Sequence, residues 1–91
     1  MIRSLRHRGL AALWGHGSRA GMGPDLGTRI GNRLSRLDQA RAPADMAVLG
    51  FTFHHLRGSP IRYSVQANRP WCLTFEWEAG DALRIDLEQY H

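Results

Sequence analysis

The sequence contains no lysine and only one cysteine, Cys72. A single cysteine cannot form an internal disulfide and does not support a cysteine-built metal site, which suits a reducing compartment. No apolar run approaches the roughly 20 residues that a membrane-spanning helix needs. The basic segment at residues 1–6 is not followed by an apolar signal region. We therefore expect a cytoplasmic protein with no membrane partner.

All twelve basic residues are arginine, and they are unevenly distributed. Residues 1–75 carry eleven arginines and three acids, a net charge of +8, whereas residues 76–91 carry one arginine and five acids, a net charge of −4. The arginine-rich residues 1–75 favour a polyanionic partner, because guanidinium pairs with phosphate through two parallel hydrogen bonds. An ordinary solvated surface is the alternative, and composition leaves both interpretations open.

The chain length of 91 residues suits one compact domain, to which we assign residues 1–91. Helical spacing of Leu10, Leu13 and Trp14 predicts a first helix over residues 7–14. A second helix should begin at Pro24-Asp25, because proline suits the first turn and aspartate the positive end of the helix dipole. Its apolar stripe would be formed by Leu26, Ile30, Leu34 and Leu37. A basic stripe on another face would be formed by Arg29, Arg33 and Arg36, either solvated or in contact with RNA or an acidic partner.

From residue 51 onward, apolar and polar residues alternate with the period of a β-strand. Turn residues interrupt the alternation at 58–60, 68–70 and 78–81. This pattern predicts four strands in an antiparallel meander with one apolar face, and residues 2–5 are a candidate for a short additional strand. Because the two helices should cover the apolar face, we predict an α+β fold.

Several polar residues of this chain are candidates for a catalytic site. Metal-independent cleavage of RNA needs a base for the 2′-hydroxyl proton, an acid for the leaving oxygen, and cations beside the phosphate. Histidine, arginine and tyrosine can supply these functions or stack on a base. The candidates are His54, His55, Arg57, Tyr63, Arg69, Cys72, Tyr90 and His91. The alternative is a binding protein that uses the same arginine-rich part of the chain but catalyses no reaction.

Other kinds of site have less support in the sequence. Adjacent residues on a strand point to opposite faces, so His54 and His55 should not share a metal ion. No local signature marks Cys72 as a nucleophile, and a lone cysteine on a strand is usually inert packing. The glycines of residues 15–23 lack the lysine of a phosphate-binding P-loop. We therefore expect neither a metal nor a cofactor.

The order of several short motifs resembles the HigB-type toxins of the RelE/ParE superfamily, also called plasmid maintenance system killer proteins. The resemblance covers nearly the whole chain, in the correct order and length. It is most specific for the segment Phe53-His54-His55-Leu56-Arg57-Gly58 together with the terminal Tyr90-His91. The other motifs that carry it are Met1-Ile2-Arg3-Ser4, His7-Arg8-Gly9-Leu10, Tyr63-Ser64-Val65, Trp71-Cys72-Leu73-Thr74-Phe75 and Gly80-Asp81-Ala82.

The resemblance implies two N-terminal helices on a curved antiparallel sheet of four to five strands. It also implies the toxin of a type II toxin–antitoxin system, an endoribonuclease without metal or cofactor that cleaves messenger RNA on the ribosome and so inhibits translation. The implied partner is a HigA-like helix-turn-helix antitoxin, and operator DNA is bound only through the antitoxin complex.

Four residues match the family's active-site positions. The resemblance assigns proton handling to His54 and His91, phosphate binding to Arg57, and a place in the cleft to Tyr90. We predict further RNA or phosphate contacts from Arg62, Arg69 and Arg33.

The sequence departs from the family pattern at three positions, one of which is Arg57. Cys72 stands where the family has a catalytic arginine, and loss of such a contact could remove about 2–4 kcal/mol of transition-state stabilisation. Gln89 replaces an aspartate, and Arg57 replaces a lysine with a poorer base. Arg62 or Arg69 could compensate. The alternative is a toxin that binds the ribosome, or DNA gyrase like the ParE branch, without cutting; the terminal Tyr90-His91 favours the RNA-cleaving branch.

Overall fold

The computed structural model describes residues 1–18 and 22–89, so Tyr90 and His91 lie outside the described residues. Two helices and a four-stranded sheet follow one another in chain order, which confirms the predicted α+β fold. The helices are α1 (Arg8–His16) and α2 (Pro24–Gln39), followed by a short 3₁₀ helix (Pro43–Met46). The strands are β1 (His54–Leu56), β2 (Arg62–Asn68), β3 (Trp71–Glu78) and β4 (Asp81–Gln89).

The first helix is fixed at both ends by its sequence. The Nδ1 atom of His7 accepts hydrogen bonds from the backbone N–H groups of Gly9 (3.0 Å) and Leu10 (3.4 Å), which caps the N-terminus. The helix continues through Gly15 and ends at Gly17, whose φ of 70° is the left-handed conformation that favours glycine. Leu10, which is fully buried, anchors α1 to the core.

The second helix carries the predicted apolar stripe. Pro24 occupies its first turn with Asp25, and Ile30, Leu34 and Leu37 are fully buried. Leu26 packs at the edge of the same core. In the described part of the chain, α2 included, no helix combines the length and the apolar character needed to cross a bilayer.

The four strands form an antiparallel meander in the order β1-β2-β3-β4. Helix α2 packs against β2 and β4, so the core lies between the helices and one face of the sheet. The residues that this face contributes include Val65, Leu73, Phe75 and Ile85. Residues 2–5 do not form a continuous strand. They pair with β4 only through two isolated parallel bridges, Ile2 with Ala82 and Leu5 with Ile85.

Candidate functional site

The face of the sheet that points away from the helices carries polar side chains in register. His54 of β1 lies opposite Ser64 of β2, and Ser64 lies opposite Thr74 of β3. One pair further along, Gln66 lies opposite Cys72, and Cys72 opposite Glu88 of β4. Because directly paired residues project to the same side of a sheet, these side chains form one continuous polar surface. We call it the outer face.

A cleft of about 490 Å³ opens on the outer face, between β1 and the turn that joins β2 to β3. Cavities of this size accommodate a drug-sized molecule, which is also the scale of one nucleotide. The cleft brings together three of the sequence-predicted candidates, His54, Arg69 and Cys72. Its full lining comprises Thr52, His54, Leu56, Ser64, Gln66, Arg69, Pro70 and Cys72.

Two exposed arginines, one in the cleft lining and one next to a lining residue in sequence, have no partner among the described residues. Arg69 belongs to its lining, and Arg57 follows directly after Leu56, another lining residue. Within residues 1–18 and 22–89, no carboxylate or hydrogen-bond acceptor engages either guanidinium group. An unpaired guanidinium offers a planar fork of donors that matches a phosphate. His54, also exposed, lines the same cleft as Arg69, so a group able to exchange protons shares the cleft with a free cation.

Arg62, by contrast, is engaged inside the outer face. Its guanidinium donates to Glu76 Oε2 (2.7 Å), to Thr74 Oγ1 (2.9 Å) and to the carbonyl oxygen of Arg84 (3.0 Å). Glu76 is only 6% exposed, although it points to the outer face. Arg84 Nη1 reaches the same carboxylate at 3.0 Å. The structure therefore does not bring Arg62 to the cleft with a free guanidinium.

This arrangement also explains the acidic segment near the end of the chain. Its carboxylates pair with arginines from the N-terminal segment: Arg3 contacts Glu78 (3.4 Å) and Asp81 (3.2 Å). Arg6 lies 3.8 Å from both Glu76 and Asp86. The acids of β3 and β4 thus neutralise arginines locally and leave those at the cleft unpaired.

Arg33 is the largest departure from the sequence-based prediction. It does not share a solvated basic face with Arg29 and Arg36, because its side chain is buried, at 7% exposure. Its Nε donates to the carbonyl oxygen of Gln66 at 2.7 Å, and its guanidinium carbon lies 4.3 Å from the ring centre of Phe51. Burial lowers the pKa of Arg33, and the nearby charge of Arg29 lowers it further. Arg33 therefore lies behind the cleft and not in it.

Cys72 contributes a neutral group to the cleft. It projects to the outer face, as the alternation of β3 predicts. Burial raises the pKa of the Cys72 thiol, and the adjacent carboxylate of Glu88 raises it further. The carboxylate of Glu88 in turn accepts a hydrogen bond from the Thr74 hydroxyl. The thiol therefore keeps its proton near neutral pH and adds no charge to the cleft. The permanent charge among the lining residues is that of Arg69.

Two further candidates, His55 and Tyr63, lie on the opposite side of the sheet from the cleft. The ring centres of His55 and Tyr63 are 4.9 Å apart in an edge-on arrangement. Tyr63 also stacks on Phe53 (5.8 Å) and Phe75 (5.5 Å). Phe53 and Tyr63 pack against the core, and the exposed His55 contacts the Tyr63 ring where β1 meets β2.

Sequence reasoning missed the neutral polar residues of the cleft. Ser64 and Gln66 occupy the outward positions of β2, and Thr52 precedes β1. The alternation that predicted the strands would have assigned Ser64 and Gln66 to the face of His54 and Cys72. Among the residues that the structure describes, no group of three or more His, Cys, Asp or Glu is placed to hold a metal ion.

A comparison with known proteins finds a relative that matches the whole chain. The chain is 32% identical over 92 aligned residues to a protein named Endoribonuclease HigB, from Proteus vulgaris. The alignment covers all of both chains. No family model matches the sequence.

Proposed function

This chain belongs to the HigB family of toxins, and from that premise we propose that it is an endoribonuclease that cleaves messenger RNA in the cleft of the outer face. One observation supports this site above others. The exposed His54 lines the same cleft as Arg69, whose guanidinium group has no partner in the described part of the chain, whereas Arg62 is bound to Glu76. The relative in Proteus vulgaris is itself named an endoribonuclease.

The chemistry that these residues suit is attack of a ribose 2′-oxygen on the adjacent phosphorus. His54 takes the 2′-hydroxyl proton as the new O–P bond forms, and the bond from phosphorus to the 5′-oxygen breaks. The products are a 2′,3′-cyclic phosphate and a 5′-hydroxyl. Arg57 and Arg69 stabilise the charge on the non-bridging phosphate oxygens. Proton transfer and arginine contacts can accomplish this step without a metal or a cofactor.

The last two residues complete the proposed site. We propose that His91, to which the resemblance assigns proton handling, protonates the leaving 5′-oxygen, and that Tyr90 stacks on a base of the RNA. Gln89, the last residue of β4, lies opposite Trp71 at the start of β3, next to Cys72 in the cleft. The chain therefore leaves β4 at the end of the sheet where Arg69 and Cys72 lie, which is compatible with these roles.

Arg69 is our candidate for the cation that Cys72 does not provide. The resemblance places a catalytic arginine at position 72, where this chain has a neutral thiol. Of the two arginines that could compensate, Arg62 is held by Glu76 and Thr74. Arg69 lines the same cleft as Cys72, three residues away, with a free guanidinium. We therefore assign phosphate binding to Arg69 and Arg57.

Membership in a toxin family implies an antitoxin partner in general. More specifically, we propose a HigA-like helix-turn-helix antitoxin, action on messenger RNA at the ribosome in the cytoplasm, and contact with operator DNA only through the antitoxin complex. The unpaired arginines at the cleft suit an RNA substrate, because each can pair with a backbone phosphate.

The test is induced expression in bacteria, followed by mapping of messenger RNA 5′ ends. We expect the wild type to arrest growth and to create new 5′ ends within translated messages. His54→Ala, Arg57→Ala and Arg69→Ala should each remove most of the new ends. Arg8→Ala is the matched control, because this exposed arginine lies on α1, on the side of the sheet opposite to the cleft, and it should cleave like the wild type. Absence of new ends with the wild type contradicts the proposal.

The neutral thiol of Cys72 supports a second candidate function. A toxin that binds its target without cutting would need no cation at that position, and the same free arginines would serve for binding. Growth arrest without new 5′ ends would identify this case. Arrested translation would then indicate the ribosome as the target, and altered DNA supercoiling would indicate DNA gyrase.

A further inference from the structure

The position of Gln66 in the cleft is fixed through its backbone. Its N–H donates to the carbonyl oxygen of Phe51, and its own carbonyl oxygen accepts from the buried Arg33 at 2.7 Å. Arg33 also lies against the Phe51 ring, 4.3 Å from its centre. Gln66 and the segment at Phe51 are therefore tied together by one buried guanidinium. A side chain on such a rigid base can discriminate between ligands, because little ordering is needed when the ligand binds.

Within the described residues, the Gln66 amide has one side-chain hydrogen-bond partner, which engages its oxygen. Its Oε1 accepts a hydrogen bond from the Thr52 hydroxyl at 3.2 Å, and both residues line the cleft. In the part of the chain that the structure describes, nothing accepts a hydrogen bond from Nε2. The amide therefore presents to a ligand an NH₂ group with two donor hydrogens, while its oxygen is engaged by Thr52.

On the basis of the proposed function, we propose that Gln66 is a specificity-determining residue that contacts the base of a nucleotide bound in the cleft. It selects a base edge with two adjacent hydrogen-bond acceptors, as in O6 and N7 of guanine. Two donor hydrogens match two acceptors. Adenine places an amino donor beside N7, and its usual pairing with glutamine uses the amide oxygen, which Thr52 occupies here. Guanine is therefore favoured over adenine.

The other lining groups suit a base at this position. Leu56 and Pro70 provide apolar surface against which a flat ring can lie. The charged group of the lining, Arg69, is the proposed phosphate ligand, and His54 is the proposed proton acceptor. Gln66 is thus a lining residue whose free donor is available to contact a base.

The experiment compares cleavage-site sequences from bacteria that express the wild type, Gln66→Glu and Thr52→Val. The substitution Gln66→Glu replaces the donor NH₂ by an acceptor and nearly keeps the shape. Thr52→Val removes the hydroxyl that orients the amide and leaves Gln66 in place. Gln39→Glu is the matched control, because Gln39 is exposed at the end of α2 and is not part of the cleft lining.

We expect wild-type cuts to show guanine enriched at one fixed position relative to the cut, and the control to show the same. In Gln66→Glu that enrichment should fall about tenfold, with adenine or cytosine gaining, while preferences at other positions persist. Thr52→Val should allow adenine at the same position. Cutting by Gln66→Glu with the wild-type preference overturns the inference and leaves the proposed function intact. A wild type that makes no cuts overturns both.

Discussion

The side chain of Arg33 and the backbone of Gln66 connect α2 to the cleft through the interior of the protein. The Arg33 Nε donates to the Gln66 carbonyl oxygen at 2.7 Å, and a second guanidinium nitrogen donates to the carbonyl oxygen of Arg29 at 3.2 Å. No carboxylate within residues 1–18 and 22–89 pairs with this guanidinium. Its charge is instead stabilised by carbonyl dipoles and by the face of Phe51.

The substitution Arg33→Met should lower the free energy of unfolding by about 2 kcal/mol. Methionine fills a similar volume, but it leaves the Gln66 carbonyl oxygen without its donor and removes the cation–π contact. Chemical denaturation measures this effect. Arg29→Met provides the control: Arg29 is exposed, so its loss should change stability by less than about 0.5 kcal/mol. Equal effects of the two substitutions would refute the assigned role.

Of the three arginines that contact Glu76, the two nearest, Arg62 and Arg84, should contribute unequally to stability. Arg62, with a side chain 18% exposed, donates to Glu76 and Thr74, so Arg62→Met should cost about 2 kcal/mol by leaving a buried carboxylate short of a partner. Arg84 is 53% exposed, and solvent screens its ion pair, so Arg84→Gln should cost at most about 0.5 kcal/mol. Thermal unfolding of both variants tests the order, and a larger loss with Arg84→Gln would contradict it.

Alkylation should reveal the raised pKa of Cys72. Burial and the carboxylate of Glu88 both disfavour the thiolate, so iodoacetamide should react more slowly at pH 8 than with a free cysteine. Glu88→Gln removes the second cause and should accelerate the reaction, with Cys72→Ser as the unreactive control. Because the unfolded chain ionises first as pH rises, Cys72 should also lower stability above the ordinary cysteine pKa. Alkylation that Glu88→Gln leaves unchanged would argue against this electrostatic coupling.

A cation introduced at position 72 should raise the rate of RNA cleavage. The thiol of Cys72 lies in the cleft with Arg69 and His54 but carries no charge near neutral pH. Cys72→Arg should increase cleavage about tenfold or more, because one additional donor at the phosphate can contribute several kcal/mol to the transition state. Cys72→Met adds size without charge and should give no increase. The readout is the yield of new messenger RNA 5′ ends after a fixed induction time.

Much of the fold could be predicted from residue periodicity. The stripe at Ile30, Leu34 and Leu37 and the alternation after residue 51 each describe which side of an element is apolar. Both patterns are local, and local patterns determine helices, strands and turns well. The sequence offered residues 2–5 as a candidate strand, but it could not indicate that only two isolated bridges form there, because these bridges depend on a strand about 80 residues away.

The candidate site was less predictable than the fold. Arg33 lies three residues after Ile30 and four before Leu37, so the apolar stripe itself indicated burial, but its charge suggested solvent. Thr74 and Glu76 point to the outer face as predicted, yet they are buried because of the arginines around them. Which arginines are paired and which remain free is decided by tertiary contacts, and that distinction separates Arg62 from Arg69.

The parallel bridges of Ile2 and Leu5 to β4 have a consequence for the order of folding during synthesis. Residues 2 and 5 are synthesised about 80 residues before their partners at 82 and 85. Such a contact of high sequence separation carries a large loop-closure entropy and forms late. The N-terminal segment, residues 2–5, therefore stays undocked while the helices and the first hairpin form. A nascent chain interrupted before β4 would lack the strand against which the N-terminal segment docks, and Ile2 and Leu5 would remain without these partners.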